Sequence, residues 1–375
     1  MEDDRIDVPA KAPPEVWLAG AVMVALMAWG GWQAFRALEH PDLFEVPNSF
    51  AAIRSGVASD KFSKHLDNHL PARSALIATA NAGRYLVFQG AGDSVRLGRD
   101  EWLFSVEELA YSPQSMAQLS KRVAQVGALA AALDQRGIKL VVALVPDKAR
   151  VHAANLASGQ YPHWQASRYA TALNQIRANG VPVVDLLDVL ARPDQLPMFY
   201  RTDTHWNQTG ADQAAKAIAD RVRQMLPDIP TVQFETRMAS ETVTRPGDLL
   251  GQMGLSHVLD WARPDADVEA VRHTVRTSAA ATQGGLFDDA SVPTVLVGTS
   301  YSRRANFHGA LQQHLSAEVL NVATDGGGFF KSMHAYLQDE AFATAPPSVI
   351  IWELPERVLS EPDKDGEAKG LLPGG

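Results

Sequence analysis

The sequence predicts an α/β fold in which a mainly parallel β-sheet is flanked by helices, with one transmembrane helix near the N-terminus. Three observations predict it. Short, continuous apolar runs such as Lys139–Val145 (KLVVALV) are typical of strands that are buried on both faces. Amphipathic segments at helical spacing alternate with these runs, and this order favours a parallel sheet. A run of twenty uncharged residues lies at 16–35.

The composition limits both the class of protein and its chemistry. The chain has 375 residues, of which 46% are apolar, and a formal net charge of −9. An apolar fraction of this size can build a buried core, so disordered and collagen-like classes are excluded. The acidic balance argues against nucleic acid as a partner, because phosphates require a basic surface. The sequence contains no cysteine, which excludes thiolate nucleophiles and cysteine-ligated metal sites.

The apolar runs and amphipathic segments also place the individual elements. Strands are predicted at 139–145, 181–187, 293–298, 317–322 and 348–354. Helices are predicted at 120–135, 167–178, 208–225 and 306–315, and over most of 60–89. A turn and a short strand are expected within 96–104. Residues 230–290 have no regular pattern, so we predict an irregular segment with only short strands.

The uncharged run at 16–35 is long enough, at 1.5 Å per residue, to cross a hydrocarbon core of about 30 Å. A cleaved signal peptide is the main alternative, but its apolar region is usually shorter and ends at a small-residue cleavage site. A buried core helix is the other alternative. The predicted organisation is a cytoplasmic tail at 1–15, an anchor at 16–38, a linker at 39–59, a catalytic domain at 60–357 and a disordered tail at 358–375. The bulk of the chain would then lie outside the cytoplasm.

A first candidate site is Ser300, which follows the predicted strand 293–298 in the segment VLVGTSYS. Ligands of open α/β sheets bind at the carboxyl ends of strands. A turn and a helix start at this point would present backbone N–H groups to developing negative charge, as a nucleophilic serine requires. Alternatively, Thr299, Ser300 and Ser302 serve only as cap and turn residues.

A second candidate site is the pair Asp203 and His205, in the segment FYRTDTHWNQTG. In an extended chain, side chains two residues apart share a face. The carboxylate can then bind one imidazole nitrogen and leave the other free to take a proton from a hydroxyl. The alternative is a surface turn in which Asn207 or Asp203 caps the helix that begins at Gln208.

The two segments together supply a nucleophile, a base and a group that orients the base. A metal site at Asp203 and His205 would need a third ligand, for which His257 or His308 is available. Neither histidine lies in a ligand-spaced motif, so we predict neither a metal nor another cofactor.

The sequence resembles the alginate O-acetyltransferase AlgJ/AlgX family, a branch of the SGNH-hydrolase-like proteins, over about residues 60–357. The resemblance rests on the segments HLPAR at 69–73, GRDEWLF at 98–104, VPDKAR at 145–150, DTHW at 203–206, GTSYS at 298–302 and WELPE at 352–356. In ordinary SGNH esterases the serine precedes the Asp/His pair. Here the pair comes first, like the circularly permuted order of this family.

The resemblance implies an extracytoplasmic enzyme that acetylates an exopolysaccharide such as alginate or cellulose, with Ser300 as nucleophile, His205 as base and Asp203 as its partner. It also implies a multipass membrane O-acyltransferase as acetyl supplier and other synthase subunits as partners at the inner membrane. An acetyl-esterase with the same triad and a noncatalytic glycan-binding scaffold are the alternatives.

Further residues are candidates for stabilising the oxyanion or binding the substrate. Gly298 belongs to the turn before the serine, and Gly327 lies in the loop DGGG at 325–328, which either supplies a backbone amide or is a plain turn. Tyr301 and Trp206 either stack on a sugar or belong to the core. Arg303 either binds an acidic sugar or is solvated, and Lys148 is expected near the rim of the site.

Overall fold

The computed structural model describes residues 14–192, 196–277 and 292–362. It divides into two compact units, the first ending at Ala82 and the second beginning at Gly83. The termini of the predicted tails, at 1–13 and 363–375, lie outside the described residues.

The first unit is helical. It contains α1 (Pro14–Leu38), α2 (Phe50–Arg54), α3 (Val57–His69) and the start of α4 (Arg73–Phe88), with a 3₁₀ turn at Pro41–Glu45. Within the described residues, Val16–Leu38 is long and apolar enough to cross a membrane, with a mean hydropathy of 1.4. Most of its apolar side chains are exposed, as in Trp17 and Leu18. The range 39–59, predicted as a linker, carries short helical segments.

The second unit contains a five-stranded parallel sheet. The strands of the described chain are β1 (Val95–Leu97), β2 (Leu103–Ser105), β3 (Lys139–Val145), β4 (Val183–Asp185), β5 (Phe234–Arg245), β6 (Asp267–Arg276), β7 (Thr294–Val297), β8 (Leu320–Asn321) and β9 (Val349–Pro355). The sheet order is β4-β3-β9-β7-β8, and each neighbouring pair is parallel. The predicted α/β class is therefore confirmed.

Helices cover both faces of the sheet. The remaining helices are α5 (Val106–Leu109), α6 (Ser115–Asp134), α7 (Lys148–Val151), α8 (Arg168–Ala178), α9 (Leu186–Leu190), α10 (Gln208–Met225), α11 (Asp248–Gln252), α12 (Phe307–Leu315), α13 (Lys331–Leu337) and α14 (Glu340–Thr344). Alternate residues of β3 face opposite layers: Val142 packs with α6, α8 and α13, whereas Val141 packs with α10 and α12. Because both faces are covered, the strand is apolar at nearly every position.

Several predicted boundaries need correction. The segment 230–290 contains a long antiparallel ribbon of β5 and β6, whose register shifts between Met238 and Thr242. Its side chains are mostly exposed, so no apolar alternation marks it in the sequence. The strands predicted at 181–187 and 317–322 are shorter, because β4 passes directly into α9 and β8 has only two residues. Val358 and Leu359, predicted to begin the tail, are buried in the core.

Candidate active site

The carboxyl end of β7 leads directly into the turn that carries Ser300. Ser300 begins a 3₁₀ helix, Ser300–Arg303, and Thr299 is its N-cap residue. The Thr299 hydroxyl accepts a hydrogen bond from the Tyr301 N–H at 3.3 Å. Ser300 is half-buried, so its hydroxyl lies at the surface end of the strand. The cap role foreseen for this segment therefore belongs to Thr299.

Glu353, from the neighbouring strand β9, fixes the backbone of this turn. Its fully buried carboxyl accepts hydrogen bonds from the Thr299 N–H at 2.7 Å and from the Ser302 hydroxyl at 3.1 Å. Burial raises the pKa of Glu353 above its usual range. A Cβ atom at position 298 would lie 2.5 Å from a carboxyl oxygen of Glu353. Gly298 is therefore required by this close approach of side chain to backbone.

A tight bend before α10 carries Asp203 and His205. An isolated antiparallel bridge between Phe199 and Trp206 closes the bend. Asn207 caps α10, since its side-chain oxygen accepts the N–H groups of Thr209 and Gly210 at 3.0 and 2.9 Å. Asp203 is consequently not the cap and remains available to His205.

The fold brings the three residues Asp203, His205 and Ser300 together. The Nε2 atom of His205 lies 2.7 Å from the Oγ atom of Ser300, 95 residues away in the chain. The Nδ1 atom of His205 lies 2.5 Å from Oδ1 of Asp203, which also accepts the His205 backbone N–H at 2.9 Å. Asp203 and His205 are both buried. This hydroxyl–imidazole–carboxylate arrangement can move a proton from the serine to the histidine.

The electrostatics keep Asp203 ionised. Burial by itself raises the pKa of this carboxyl, but the hydrogen bonds and the charge of His205 outweigh burial and lower the pKa to about 2. A carboxylate at this position fixes the imidazole tautomer in which Nδ1 carries the hydrogen and Nε2 faces the serine.

Asp248 is a further acidic residue beside this pair, and the sequence pattern did not predict it. Its backbone N–H donates to Oδ2 of Asp203 at 3.0 Å, and its carboxylate accepts the Thr204 N–H at 2.8 Å. One carboxylate oxygen lies 3.8 Å from Nδ1 of His205. The only sequence signal was its place in the Gly-rich loop GDLLG at 247–251.

Asp203, His205 and Asp248 are close enough together to be considered as metal ligands. Their donor atoms already have hydrogen-bond partners, however: both oxygens of Asp203 and of Asp248 accept an N–H or O–H group of the chain. His308, one proposed third ligand, instead has its Nε2 atom 2.7 Å from the Val319 carbonyl oxygen. The donor set fits proton transfer better than metal binding.

Lys148 lies behind the site and not at its rim, in contrast to the prediction. The side chain is fully buried, and its ammonium group donates to the carbonyl oxygens of Leu103, Arg201 and Asp203 at 2.6, 2.8 and 2.9 Å. Burial lowers the pKa of Lys148 to about 8. The residue therefore holds the backbone that leads into Asp203 and cannot contact a sugar there.

Tyr301 and Trp206 are core residues, which is one of the two predicted alternatives. Both are fully buried, and their rings meet edge to face at 5.0 Å. The Tyr301 hydroxyl donates to the Thr204 carbonyl at 2.7 Å. Stacking of either ring on a sugar is thereby ruled out. Tyr301 directly follows Ser300, and Thr204, which accepts its hydroxyl, directly precedes His205. Tyr301 therefore links the segment that carries the serine to the segment that carries the histidine.

Arg303 ends the short helix that begins at Ser300, and Gly327 lies in the loop at 325–328. Arg303 is exposed, and its nearest carboxylate is that of Asp325 at 3.6 Å. The Gly327 N–H donates to the Thr324 carbonyl at 3.0 Å, so it is not available to an oxyanion. The Ser300 N–H makes no hydrogen bond to another described residue and remains a candidate oxyanion donor.

Two cavities flank this region. The larger, about 610 Å³, is lined by residues of the bend, of the start of α10 and of β6, among them Tyr200, Gln208 and Arg272, and not by Asp203, His205 or Ser300. The smaller, about 360 Å³, lies next to the Ser300 turn and is lined by Arg303, His308, Asn321 and Ala323. Ser300, His205 and Asp203 line neither of these cavities.

Comparison with known proteins gives consistent matches. Residues 95–356 match the model of the family described as SGNH hydrolase-like domain, acetyltransferase AlgX. The chain is 35% identical to the probable alginate O-acetylase AlgJ of Pseudomonas aeruginosa, over 89% of this chain and 86% of the relative. It is 30% identical to the alginate biosynthesis protein AlgX of Pseudomonas fluorescens, over 80% of this chain and 64% of the relative.

Solved structures agree with these relatives. The O-acetyltransferase domain of Pseudomonas putida AlgJ superposes with a TM-score of 0.63 at 34% identity, covering 74% of this chain and 98% of that domain. Pseudomonas aeruginosa AlgX superposes with a TM-score of 0.56 at 24% identity, covering 73% of this chain and 64% of that one, which supports the fold.

Proposed function

Because the chain belongs to the family of SGNH hydrolase-like domains of the acetyltransferase AlgX type, we propose that it is an O-acetyltransferase that acts on an exopolysaccharide. The observation that carries this proposal is the continuous hydrogen-bond chain from Ser300 through His205 to Asp203. In this proposal Ser300 is the nucleophile, His205 the general base and Asp203 the residue that orients the base.

The first half-reaction forms an acetyl-enzyme. Nε2 of His205 takes the hydroxyl proton of Ser300 while Oγ attacks the carbonyl carbon of an activated acetyl donor. The Ser300 N–H stabilises the negative charge on the carbonyl oxygen of the tetrahedral intermediate. When the intermediate collapses, the bond to the leaving group breaks, and the leaving group takes the proton from His205.

The second half-reaction transfers the acetyl group to the acceptor. A sugar hydroxyl gives its proton to Nε2 of His205 and attacks the ester carbonyl of acetyl-Ser300. Collapse of this second intermediate releases the sugar ester, and the proton returns to Oγ of Ser300. Attack by water in place of the sugar would give hydrolysis, so the acceptor must exclude water from this position.

The substrate class follows from the relatives. Those relatives are named for alginate acetylation and alginate biosynthesis, so we propose alginate, or another exopolysaccharide such as cellulose, as acceptor. The proposed partners are a multipass membrane O-acyltransferase that supplies the acetyl group and other subunits of the polysaccharide synthase.

We also propose that α1 is an uncleaved inner-membrane anchor and that the catalytic unit lies in the periplasm. The contacts at the end of α1 support its retention. The Gln33 side-chain oxygen accepts the Ala72 N–H at 3.1 Å, and the Ala37 carbonyl oxygen lies 2.9 Å from Nε2 of His65. Cleavage of the helix would remove these partners from the first unit.

The proposal is tested with the full chain in detergent, an activated aryl acetate and a panel of alginate and cello-oligosaccharides. Wild-type protein is expected to form acetyl-Ser300, visible as an acetylated peptide by mass spectrometry, and to acetylate one class of oligosaccharide. Ser300→Ala is expected to abolish both products. Ser158→Ala is the control, since its exposed hydroxyl bonds only to Gln160 and to no residue of the site, and it should still form the adduct.

The outcomes separate the candidate functions. Free acetate without any sugar ester, at every acceptor concentration, would favour the esterase alternative. An adduct that persists in Ser300→Ala would remove Ser300 from the nucleophile role. No adduct and no product from wild-type protein with any donor would favour the scaffold alternative.

A further inference from the structure

The segment formed by Gly247 and the start of α11, which carries Asp248, is joined to the bend that carries the Asp203–His205 pair by reciprocal hydrogen bonds. The Asp248 backbone N–H donates to Oδ2 of Asp203 at 3.0 Å. In the opposite direction, Oδ1 of Asp248 accepts the Thr204 N–H at 2.8 Å, and Oδ2 accepts the Thr204 hydroxyl. Asp248 therefore contacts both Asp203 and Thr204, the two residues that precede His205 in the chain.

Gly247 makes this close approach possible. A Cβ atom at position 247 would lie 2.1 Å from the Thr202 carbonyl oxygen and 2.6 Å from the Asp203 backbone nitrogen. Its own N–H lies 3.3 Å from the Thr202 hydroxyl. The Gly247 backbone therefore packs against the peptide group that joins Thr202 to Asp203, and a side chain at position 247 would separate them.

Asp248 also completes the hydrogen bonding of Asp203. Oδ1 of Asp203 accepts both the ring and the backbone N–H of His205, whereas Oδ2 accepts the Asp248 N–H. The carboxylate plane is therefore held from two sides. Since a carboxylate with only one partner can rotate about its χ2 torsion, the loop contact restricts the direction in which Oδ1 meets the imidazole.

We propose that Asp248 is a positioning residue for this reaction, holding Thr204 and Asp203 so that His205 faces Ser300. The proposal rests on the proposed function of Ser300, His205 and Asp203. Asp248 acts through its hydrogen bonds to the bend, and its carboxylate lies 3.8 Å from Nδ1 of His205, beyond hydrogen-bond distance. Displacement of a catalytic group by about 1 Å typically costs about 100-fold in rate, so loss of this contact is expected to lower the rate of the chemical step.

The test compares Asp248→Ala with Asp248→Asn in the full chain, using an activated aryl acetate. Asp248→Ala removes both acceptors of Thr204, and we expect kcat to fall about 10- to 100-fold with KM within about twofold of wild type. Asp248→Asn keeps an oxygen for the Thr204 N–H and an amide hydrogen for the Thr204 hydroxyl, so kcat should return to within about threefold of wild type. The matched control is Asp339→Ala, at the start of the equally short helix α14, where the side chain accepts only the Ala341 N–H. This control should keep wild-type kcat.

Several outcomes would overturn the proposal. One is a wild-type kcat in Asp248→Ala, and another is an effect of Asp248→Ala on KM alone. A third is an Asp248→Asn variant as impaired as Asp248→Ala, because the negative charge of Asp248, and not its positioning hydrogen bonds, would then account for the effect. If Asp248→Ala does not fold, Thr204→Val removes only the hydroxyl partner and should still lower kcat at constant KM. Failure of the proposed function is recognised separately, because wild-type protein and Ser300→Ala would then have equal activity.

Discussion

At the scale of single residues, the site depends on one ionised carboxylate in a buried position. Asp203 has hydrogen-bond donors on both oxygens, from His205 and from Asp248, and these overcome the cost of burying its charge. Without them, burial would favour the neutral acid, which would no longer fix the imidazole tautomer. The pKa of about 2 for Asp203 is therefore a consequence of the same contacts that orient His205.

This lowered pKa predicts a specific pH dependence of stability. Because the folded pKa of about 2 lies below the ordinary value of 3.8, the unfolded chain binds the proton more readily. The stabilisation of the folded state by the Asp203 carboxylate is complete above about pH 4 and is lost as the pH falls through 2. It amounts to about 2 kcal/mol.

Urea unfolding of wild type and of Asp203→Asn at a series of pH values measures this contribution. The difference in the free energy of unfolding should shrink between about pH 4 and pH 2, because the asparagine cannot titrate. A difference that stays constant over this range would contradict the assignment of the lowered pKa to Asp203.

At the scale of elements, the site is assembled from segments that meet at the carboxyl edge of the sheet. Lys148 lies in α7, just after β3, and joins α7 to two other segments. Its ammonium group donates to the Leu103 carbonyl of β2 and to the Arg201 and Asp203 carbonyls of the bend. The rings of Trp102 and Phe104 lie 5.2 and 5.3 Å from the ammonium group. The position of the bend relative to the sheet thus depends on one buried cation.

Substitution of Lys148 by Met is predicted to destabilise the fold and to lower activity. The variant keeps the length of the side chain but loses three charge-assisted hydrogen bonds, at a cost of about 3 kcal/mol in the free energy of unfolding. Lys139→Met is the matched control. Lys139 is exposed and pairs only with Asp134, so this variant should lose less than about 1 kcal/mol.

The two lysine variants are also predicted to differ in how their stability depends on pH. Burial lowers the folded pKa of Lys148 to about 8, from an ordinary 10.5. The unfolded chain therefore binds more protons between these values, and Lys148 makes the stability of wild-type protein rise with pH across that window. Denaturant unfolding should show that this component is absent from Lys148→Met and retained in Lys139→Met. An equal slope in all three proteins would contradict it.

At the scale of the whole molecule, a membrane-spanning candidate precedes an α/β unit that contains the hydrogen-bonded residues Ser300, His205 and Asp203. In the described residues, Val16–Leu38 is the helix that meets the length and hydropathy needed for a membrane span, and a signal sequence would meet the same criteria. The proposed topology places this α/β unit on the periplasmic side of the inner membrane.

A C-terminal fusion to a reporter enzyme that is active only outside the cytoplasm tests this topology. We expect an active reporter, and full-length protein in the membrane fraction after a wash at alkaline pH. Replacing Leu18, Val22 and Leu26 of α1 by Asp should prevent insertion, because each charge within the hydrocarbon core costs about 3 kcal/mol. An inactive reporter on the wild-type fusion would overturn the orientation, and a shortened soluble product would favour the signal peptide.

The sequence alone determined the five strands of the parallel sheet and the long helices α6, α8, α10 and α12, because strands buried on both faces must be apolar and the helices beside them must be amphipathic. The strand at Lys139–Val145 and the helix at Gln208–Met225 have the predicted bounds. It also indicated Ser300, since a serine directly after a buried strand lies at the edge where parallel sheets bind ligands. The β5–β6 ribbon was missed because its exposed strands have no apolar pattern.

The tertiary structure decided which polar residues serve the site. Asp248 lies 45 residues from the Asp203 carboxylate that it contacts, and Lys148 lies 55 residues from the Asp203 carbonyl oxygen. Local sequence carries no record of such pairs, since their hydrogen bonds form only when separate loops meet at one edge of the sheet. For the same reason, whether Tyr301 faces a sugar or the core was decided by the 2.7 Å bond to Thr204 and not by the residue type.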